Sequence, residues 1–379
     1  MTLDLLLRDY TLQIVALGSA VLGAVSGILG SFAVLRKQSL LGDAVSHAAL
    51  PGIAFVFLIT GVKQTEMLLL GALISGLLGT FMIVSVDRYT RIKFDSALGL
   101  TLSSFFGLGL VLLTYIQKIP NANQAGLENF IFGQASTLLK RDVYWMIGLG
   151  IMILTVVIVF WKELKIFSFD PEFGKSIGFS DMKINMLLSS ITVIAIIIGL
   201  QSVGVILMSA LLIAPGVAAR QWTDKLAIMV LLAAIFGIVA GVIGTIISSL
   251  VGNMPTGPVI VVVISLIVFF SLFFATKRGM LWRVMRMKRN RRDINDSKVL
   301  VNLYELAMNH DVVYHPHKTN VIMLGKNNKR TDNKHVIKSL LYLCDKGYVK
   351  RDYFDTWSIT DLGIEKAKRI MANHGGEKL

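Results

Sequence analysis

Residues 226–250 read LAIMVLLAAIFGIVAGVIGTIISSL, 25 residues without a charge. As a helix this run would rise about 37 Å, more than the roughly 30 Å hydrocarbon core of a bilayer. Comparable apolar blocks recur, and spans are expected near 12–35, 43–60, 66–86, 97–117, 142–161, 184–200, 203–219, 226–250 and 256–275. The short 203–219 block is the one that need not cross fully. Across 379 residues the chain is 54% hydrophobic and 16% charged. The expected fold class is an all-α polytopic membrane protein with 8–9 transmembrane helices.

Lysine and arginine set the orientation. Placing the loops with Arg36/Lys37, Arg88/Arg91/Lys93, Lys162/Lys165/Lys175/Lys183 and Arg220/Lys225 in the cytoplasm puts 11 basic residues inside. Arg8, Lys63, Lys118, Lys140 and Arg141, only 5, then lie outside, as the positive-inside rule favours. The chain after residue 275 is thus expected in the cytoplasm, with the protein in a cell membrane. Nine crossings would put the N-terminus outside and eight could put it inside. The first apolar run has no cleavage pattern and is expected to stay as a helix.

Within this apolar region lies Gly42-Asp43-Ala44-Val45-Ser46-His47, which contains the only histidine of the first 309 residues. Residues four apart share one helix face, so the Asp43 carboxylate and the His47 imidazole can reach one divalent cation. An ionisable residue at membrane depth is costly and points to function. A second reading stays open: a helix start capped by Asp43, with His47 bonded to a nearby carbonyl.

Residues 1–275 carry a net charge of +3 and the remainder +11. Three regions are expected: a transmembrane domain at 1–275, a basic juxtamembrane linker at 276–293, and a small cytoplasmic α+β domain at 294–379. The linker mixes Arg and Lys with Trp282 and Met residues and suits anionic membrane lipids. In the last region Val299, Leu300, Leu303, Tyr304 and Leu306 form a helical apolar face, and Ile337, Leu340, Leu341 and Leu343 form another. Two short strands follow at Tyr348–Phe354 and Trp357–Ile359, then a helix from Thr360-Asp361 to about Ala372. Helix, helix, hairpin, helix resembles a winged-helix domain. Lys329, Arg330, Lys334 and Lys338 would be its basic face, but in a membrane-tethered domain docking or regulation is expected and nucleic acid is not. His310, His315 and His317, beside Asp311, form a second, loosely spaced set of metal-ligand types. The sole cysteine, Cys344, rules out a disulfide within the chain.

The chain shows no means of hydrolysing ATP. Gly174-Lys175-Ser176 imitates the end of a phosphate-binding loop, but Phe169 stands where its first glycine belongs. The same segment reads better as a short helix that begins at Asp170-Pro171 and stops at Gly178, on the inner membrane face. The spacings Gly71/Ser75/Gly79, Gly99/Ser103/Gly107 and Gly237/Gly241/Thr245 permit close helix packing. Pro215 reads as a helix break. Neither a Ser-His-Asp grouping nor a His-Glu-x-x-His helix is present, so the chain is not expected to be an enzyme.

Three phrases carry a resemblance: VLRKQSLLGDAVSHAALPG at 34–52, FDPEF at 169–173 with Gly178, and VGVILMSALLIAPG at 203–216. They are similar to the membrane subunit of the ABC-3 family of manganese, zinc and iron importers, over residues 10–275. The resemblance implies a type II ABC importer-like fold and a partner set: a cytoplasmic ATPase dimer, a second permease subunit (a homodimer by preference), and an extracellular lipoprotein or periplasmic protein that delivers the metal. It maps the family's metal site onto Asp43 and His47. It maps the ATPase-coupling helix onto Pro171, Glu172, Phe173, Gly174, Lys175, Ser176, Ile177 and Gly178. No cofactor is permanently bound; the divalent metal is cargo, with Mn²⁺ favoured over Zn²⁺ or Fe²⁺ because long winged-helix-like tails accompany manganese or iron permeases. An ion-gradient-driven secondary transporter is the alternative, and a membrane-tethered regulator a more distant one.

Overall fold

The computed structural model describes residues 9–62, 64–119, 138–251, 254–310, 313–323, 333–353 and 355–373. Arg8, Lys63, Asp311, Lys329, Arg330 and Phe354 lie outside these ranges. The chain divides into two compact units, residues 1–280 and 281–379.

The first unit is all helical: α1 Tyr10–Leu35, α2 Leu41–Ala48, α3 Leu50–Thr60, α4 Thr65–Tyr89, α5 Phe94–Gln117, α6 Lys140–Val159, α7 Trp161–Phe169, α8 Pro171–Ser176, α9 Asp181–Val203, α10 Val205–Trp222, α11 Leu226–Leu250 and α12 Thr256–Phe274. Among the described residues, eight spans are long and apolar enough to cross a membrane, with α2 and α3 counted together. The 43–60 block, expected as one helix, is interrupted at Ala49 ahead of Pro51, whose missing N–H and fixed φ suit a first turn and not an interior.

Glycine decides how these helices pack. Gly23 and Gly27 of α1 face Gly237 and Ala233 of α11, and Gly241 faces Ser19. The residue order shows that the two helices run antiparallel. Any β-carbon at Gly23 or Gly237 would overlap the opposing backbone carbonyl, so only glycine permits this approach. Gly71 of α4 meets the Gly52 carbonyl of α3 in the same way, and Gly79 packs against the Ala48 side chain of α2. The Gly99/Ser103/Gly107 spacing, expected to pack likewise, does not: Gly99 and Gly107 have nothing within 4 Å.

Helix α10 settles on which faces of the membrane unit Tyr10 and Arg278 lie. Gly199 of α9 sits beside Met208 of α10 and Leu22 of α1, and Gly216 sits beside Gly30. Thus α10 runs parallel to α1, and Trp222 reaches the same face as the end of α12, donating from Nε1 to Ser271 Oγ at 3.0 Å. Arg278 pairs with Asp224 there at 2.8 Å, and Arg36 bonds to Asn185 at the matching ends of α1 and α9. On the opposite face Lys140 lies over the Tyr10 ring and Arg141 pairs with Glu66. Tyr10 and Arg278 are therefore on opposite faces, whether or not the α9–α10 turn clears the bilayer. That turn is made by Gly204 at φ 88, a conformation that glycine adopts at little cost. Pro215, expected to break a helix, instead lies inside a continuous α10; packing against α1, α11 and α12 holds the helix through the one lost hydrogen bond.

The second unit contains all but the first residue of α13 Met280–Met308, then β1 His317–Lys318, α14 Thr319–Met323, α15 Asn333–Asp345, β2 Val349–Tyr353, β3 Thr356–Ile359 and α16 Asp361–Asn373. The basic stretch 280–292 is the first part of α13. The strands form an antiparallel sheet in the order β1-β3-β2. Val299, Leu300, Leu303, Val336, Leu340, Val349, Trp357 and Ile359 make its core. The Trp357 indole donates to Thr319 Oγ1 at 3.0 Å.

Candidate metal pathway and ATPase-facing helix

The short helix α2 carries both membrane-depth ligand candidates. Its start is uncapped: the N-cap is Leu40, with no side-chain bond, and Asp43 lies in the first turn. The reading of Asp43 as a cap therefore fails. Other side chains hold α2 and its end, Ser46 Oγ donating to the Gly42 carbonyl at 2.7 Å and Ser75 Oγ of α4 to the Ala48 carbonyl at 2.6 Å.

One turn apart, His47 Nε2 and Asp43 Oδ1 lie 3.5 Å from each other. The other imidazole nitrogen, Nδ1, is buried and has no hydrogen-bond partner, so the reading in which a carbonyl holds it fails as well. Phe106 of α5 meets the ring edge-to-face at 4.6 Å, which fixes one wall of the site. The Asp43 side chain is 38% exposed and that of His47 17%. Asp43 opens onto a cavity of about 510 Å³ lined by Ser39, Leu40, Ser209, Ile213, Ser265 and Phe269, among others. Ser209 and Ser265 belong to α10 and α12, so three helices contribute oxygen to one cleft. Among the described residues no group of three or more His, Cys, Asp and Glu side chains is arranged to hold a metal ion. The chain brings two such ligands here, on a face that is open.

Phe106, Ser209 and Ser265 were not singled out from sequence. Ser209 lies within the 203–216 phrase, where a small polar residue among aliphatic ones was the available signal. Phe106 has none, since its meeting with His47 depends on how α5 packs.

Helix α8 has the shape that its sequence suggests. Asp170 accepts a hydrogen bond from the Phe173 N–H at 3.0 Å, an N-cap followed by Pro171 at the first position. The helix ends at Ser176 and turns through Ile177 and Gly178, the latter at φ 94. Gly174 is buried, with the Phe167 ring 3.0 Å from where a β-carbon would stand, so α8 sits directly on α7. Lys175 pairs with Asp181 at 3.2 Å. Phe169, Phe173 and Ile177 remain exposed, and Glu172 is exposed beside them. A short, firmly seated helix with an apolar outer face results.

A profile of the ABC 3 transport family matches residues 8–275. The zinc transport system membrane protein TroC of Treponema pallidum (strain Nichols) is 52% identical over 284 residues, 75% of this chain and 95% of its own. The manganese transport system membrane protein MntC of Bacillus subtilis (strain 168) is 41% identical over 365 residues, 96% of this chain and 82% of its own. Among solved structures, PsaBC from Streptococcus pneumoniae in complex with Fab superposes with a TM-score of 0.65 at 33% identity, covering 75% of this chain and 98% of that one. A metal-chelate type ABC transporter in an inward-facing conformation shares the fold alone, with a TM-score of 0.55 at 12% identity over 69% of this chain and 85% of that one.

Proposed function

We propose, from the premise that this chain belongs to the ABC 3 transport family and is the permease rather than the ATPase of a metal ABC transporter, that it imports Mn²⁺ through a site to which Asp43 and His47 contribute. The membrane unit is type II ABC importer-like and multi-pass. The metal remains within the pair manganese or zinc. Manganese is favoured because a relative whose match extends through the C-terminal unit, covering 96% of this chain, is a manganese transport system membrane protein.

The observation that carries the reading is the Asp43–His47 pair: two ligands one helical turn apart, 3.5 Å from each other, with a buried unpartnered imidazole nitrogen, beside a cleft of about 510 Å³. A nitrogen and a carboxylate oxygen suit Mn²⁺, Fe²⁺ and Zn²⁺ alike. Two ligands replace too little of an ion's water shell for passage through a dry pore. A second permease subunit related by a two-fold axis would bring two more and complete a four-ligand site. Such a site holds the ion in transit and releases it inward.

The energy comes from a separate ATPase dimer. Pro171 to Gly178 offers it the exposed Phe173 and Ile177 on a helix too firmly seated on Phe167 to yield. The basic residues on this face, Arg36, Lys175 and Arg278 among them, favour reading it as the cytoplasmic side of a bacterial cell membrane. An external binding protein delivers the ion to the opposite face. The second unit, with its α13, short strand, helices and β2–β3 hairpin, is read as winged-helix-like and accessory to transport.

The test is uptake of radioactive Mn²⁺ by cells carrying Asp43→Ala or His47→Ala. Uptake should fall by on the order of 100-fold or more, the loss of a direct ligand exceeding the roughly 10–100-fold cost of disturbing an outer-shell partner. Co-purification with the ATPase should be unchanged. Native uptake in both variants would remove the site.

A further inference from the structure

The C-terminal unit holds three histidines that the transport reading leaves unused. His310 follows the end of α13, His315 lies on the turn after it, and His317 begins β1. Their ring centroids are 4.9 Å (310 to 315), 5.0 Å (310 to 317) and 5.6 Å (315 to 317) apart. Three imidazoles on one tetrahedral ion, with metal–nitrogen bonds of about 2.1 Å, would have centroids roughly 5.2 Å apart. The observed spacings bracket that value.

We propose that His310, His315 and His317 form a second divalent-metal site of the zinc class, separate from the membrane pathway. His317 Nε2 is buried without a hydrogen-bond partner, and a buried nitrogen of this kind calls for a ligand. His310 and His315 are exposed, which gives an ion access and leaves a coordination position for water. The ligand set is not closed as it stands; the rings must turn about their side-chain torsions for the nitrogens to meet.

The frame around the rings is fixed. His317 is paired with Trp357 in the sheet, and Tyr314 bonds to Asp361 of α16 at 2.5 Å, so closure is a matter of side chains. Three neutral nitrogens favour Zn²⁺ over Mn²⁺ on intrinsic affinity. An ion bound here would tie the end of α13 to the sheet and so couple the stability of this unit to metal supply.

The experiment uses the full chain in detergent with Asp43→Ala and His47→Ala already in place, so that its outcome does not depend on the membrane site. Co²⁺ is titrated in and its visible absorption followed, then Zn²⁺ is added. One Co²⁺ per chain, with the intense bands of a tetrahedral nitrogen site and displacement by Zn²⁺, is expected. Adding His310→Ala and His315→Ala should weaken binding by on the order of 100-fold with no change in metal-free melting temperature, since both side chains are exposed. Absence of a stoichiometric Co²⁺ site in the parent, or equal binding after the two substitutions, overturns the proposal.

Discussion

In the membrane unit, His47 and Asp43 meet because any helix places residues four apart on one face. In the C-terminal unit, His310, His315 and His317 meet because a helix end, a turn and a strand converge. The first arrangement is local and incomplete, two ligands open toward a cleft. The second is a product of the tertiary fold and brings three together. A transport site benefits from incompleteness, because an ion held by four ligands from a single rigid subunit would be slow to leave. A site that reports on metal level gains from holding its ion.

The largest effect should separate these two places in an uptake assay. Deleting residues 290–379 should lower Mn²⁺ uptake by less than about tenfold, whereas Asp43→Ala should lower it by on the order of 100-fold or more. Equal losses would show that the C-terminal unit is part of the transport path and would dissolve the contrast.

A second test asks whether the membrane pair is completed from outside the chain. Gly237→Ala pushes a methyl into the Gly23 carbonyl, an overpacking that should cost about 1–3 kcal/mol or more, seen as a lower melting temperature in detergent. Gly107→Ala, on the helix that carries Phe106 to His47, meets nothing within 4 Å in one chain and should change stability by less than about 1 kcal/mol. If Gly107→Ala is as damaging as Gly237→Ala, a second subunit covers that face in the assembled protein. The missing ligands would then be sought across α5.

What was legible in the sequence follows the same division between local and distant. The charge-free runs gave the spans, and i, i+4 spacing gave the pair, because both depend on neighbours along one helix. Asp170-Pro171 and Gly178 marked the ends of α8 for the same reason. Glycine spacing announced the capacity for close packing but not the partner, so Gly237 and Gly99 looked alike although one meets a backbone and the other meets open space. Pro215 shows the limit from the other side: its local preference is to break a helix, and packing against three helices overrides it. The face on which α1 begins could not be read because it depends on the direction of α10, which Gly216 against Gly30 reveals only in three dimensions. The histidine trio was visible only as loose spacing, since Tyr314 and the β1–β3 pairing that assemble it involve residues about 40 positions apart.

The smallest effect lies in the pH response of the C-terminal unit. The folded pKa of His317 is lowered, first by burial and then by His310 and His315. The unfolded chain therefore binds a proton more readily than the folded one, and folding stability rises with pH over the range between the two values. As pH falls below about 6.5, the ordinary histidine value, the unit should lose stability, with the loss complete once pH passes below the folded pKa. Hydrogen-exchange protection of the β1 and β3 amides in the full chain should thus decline between pH 7.5 and 5.5, on the order of a few-fold. His317→Gln has no proton to gain and should flatten this decline. Saturating Zn²⁺ should raise protection at the upper end, and less so at the lower, because protons compete with the metal for the same nitrogens. A decline that is as steep in His317→Gln as in the parent would place the pH sensitivity elsewhere and leave the convergence of the three rings without a thermodynamic consequence.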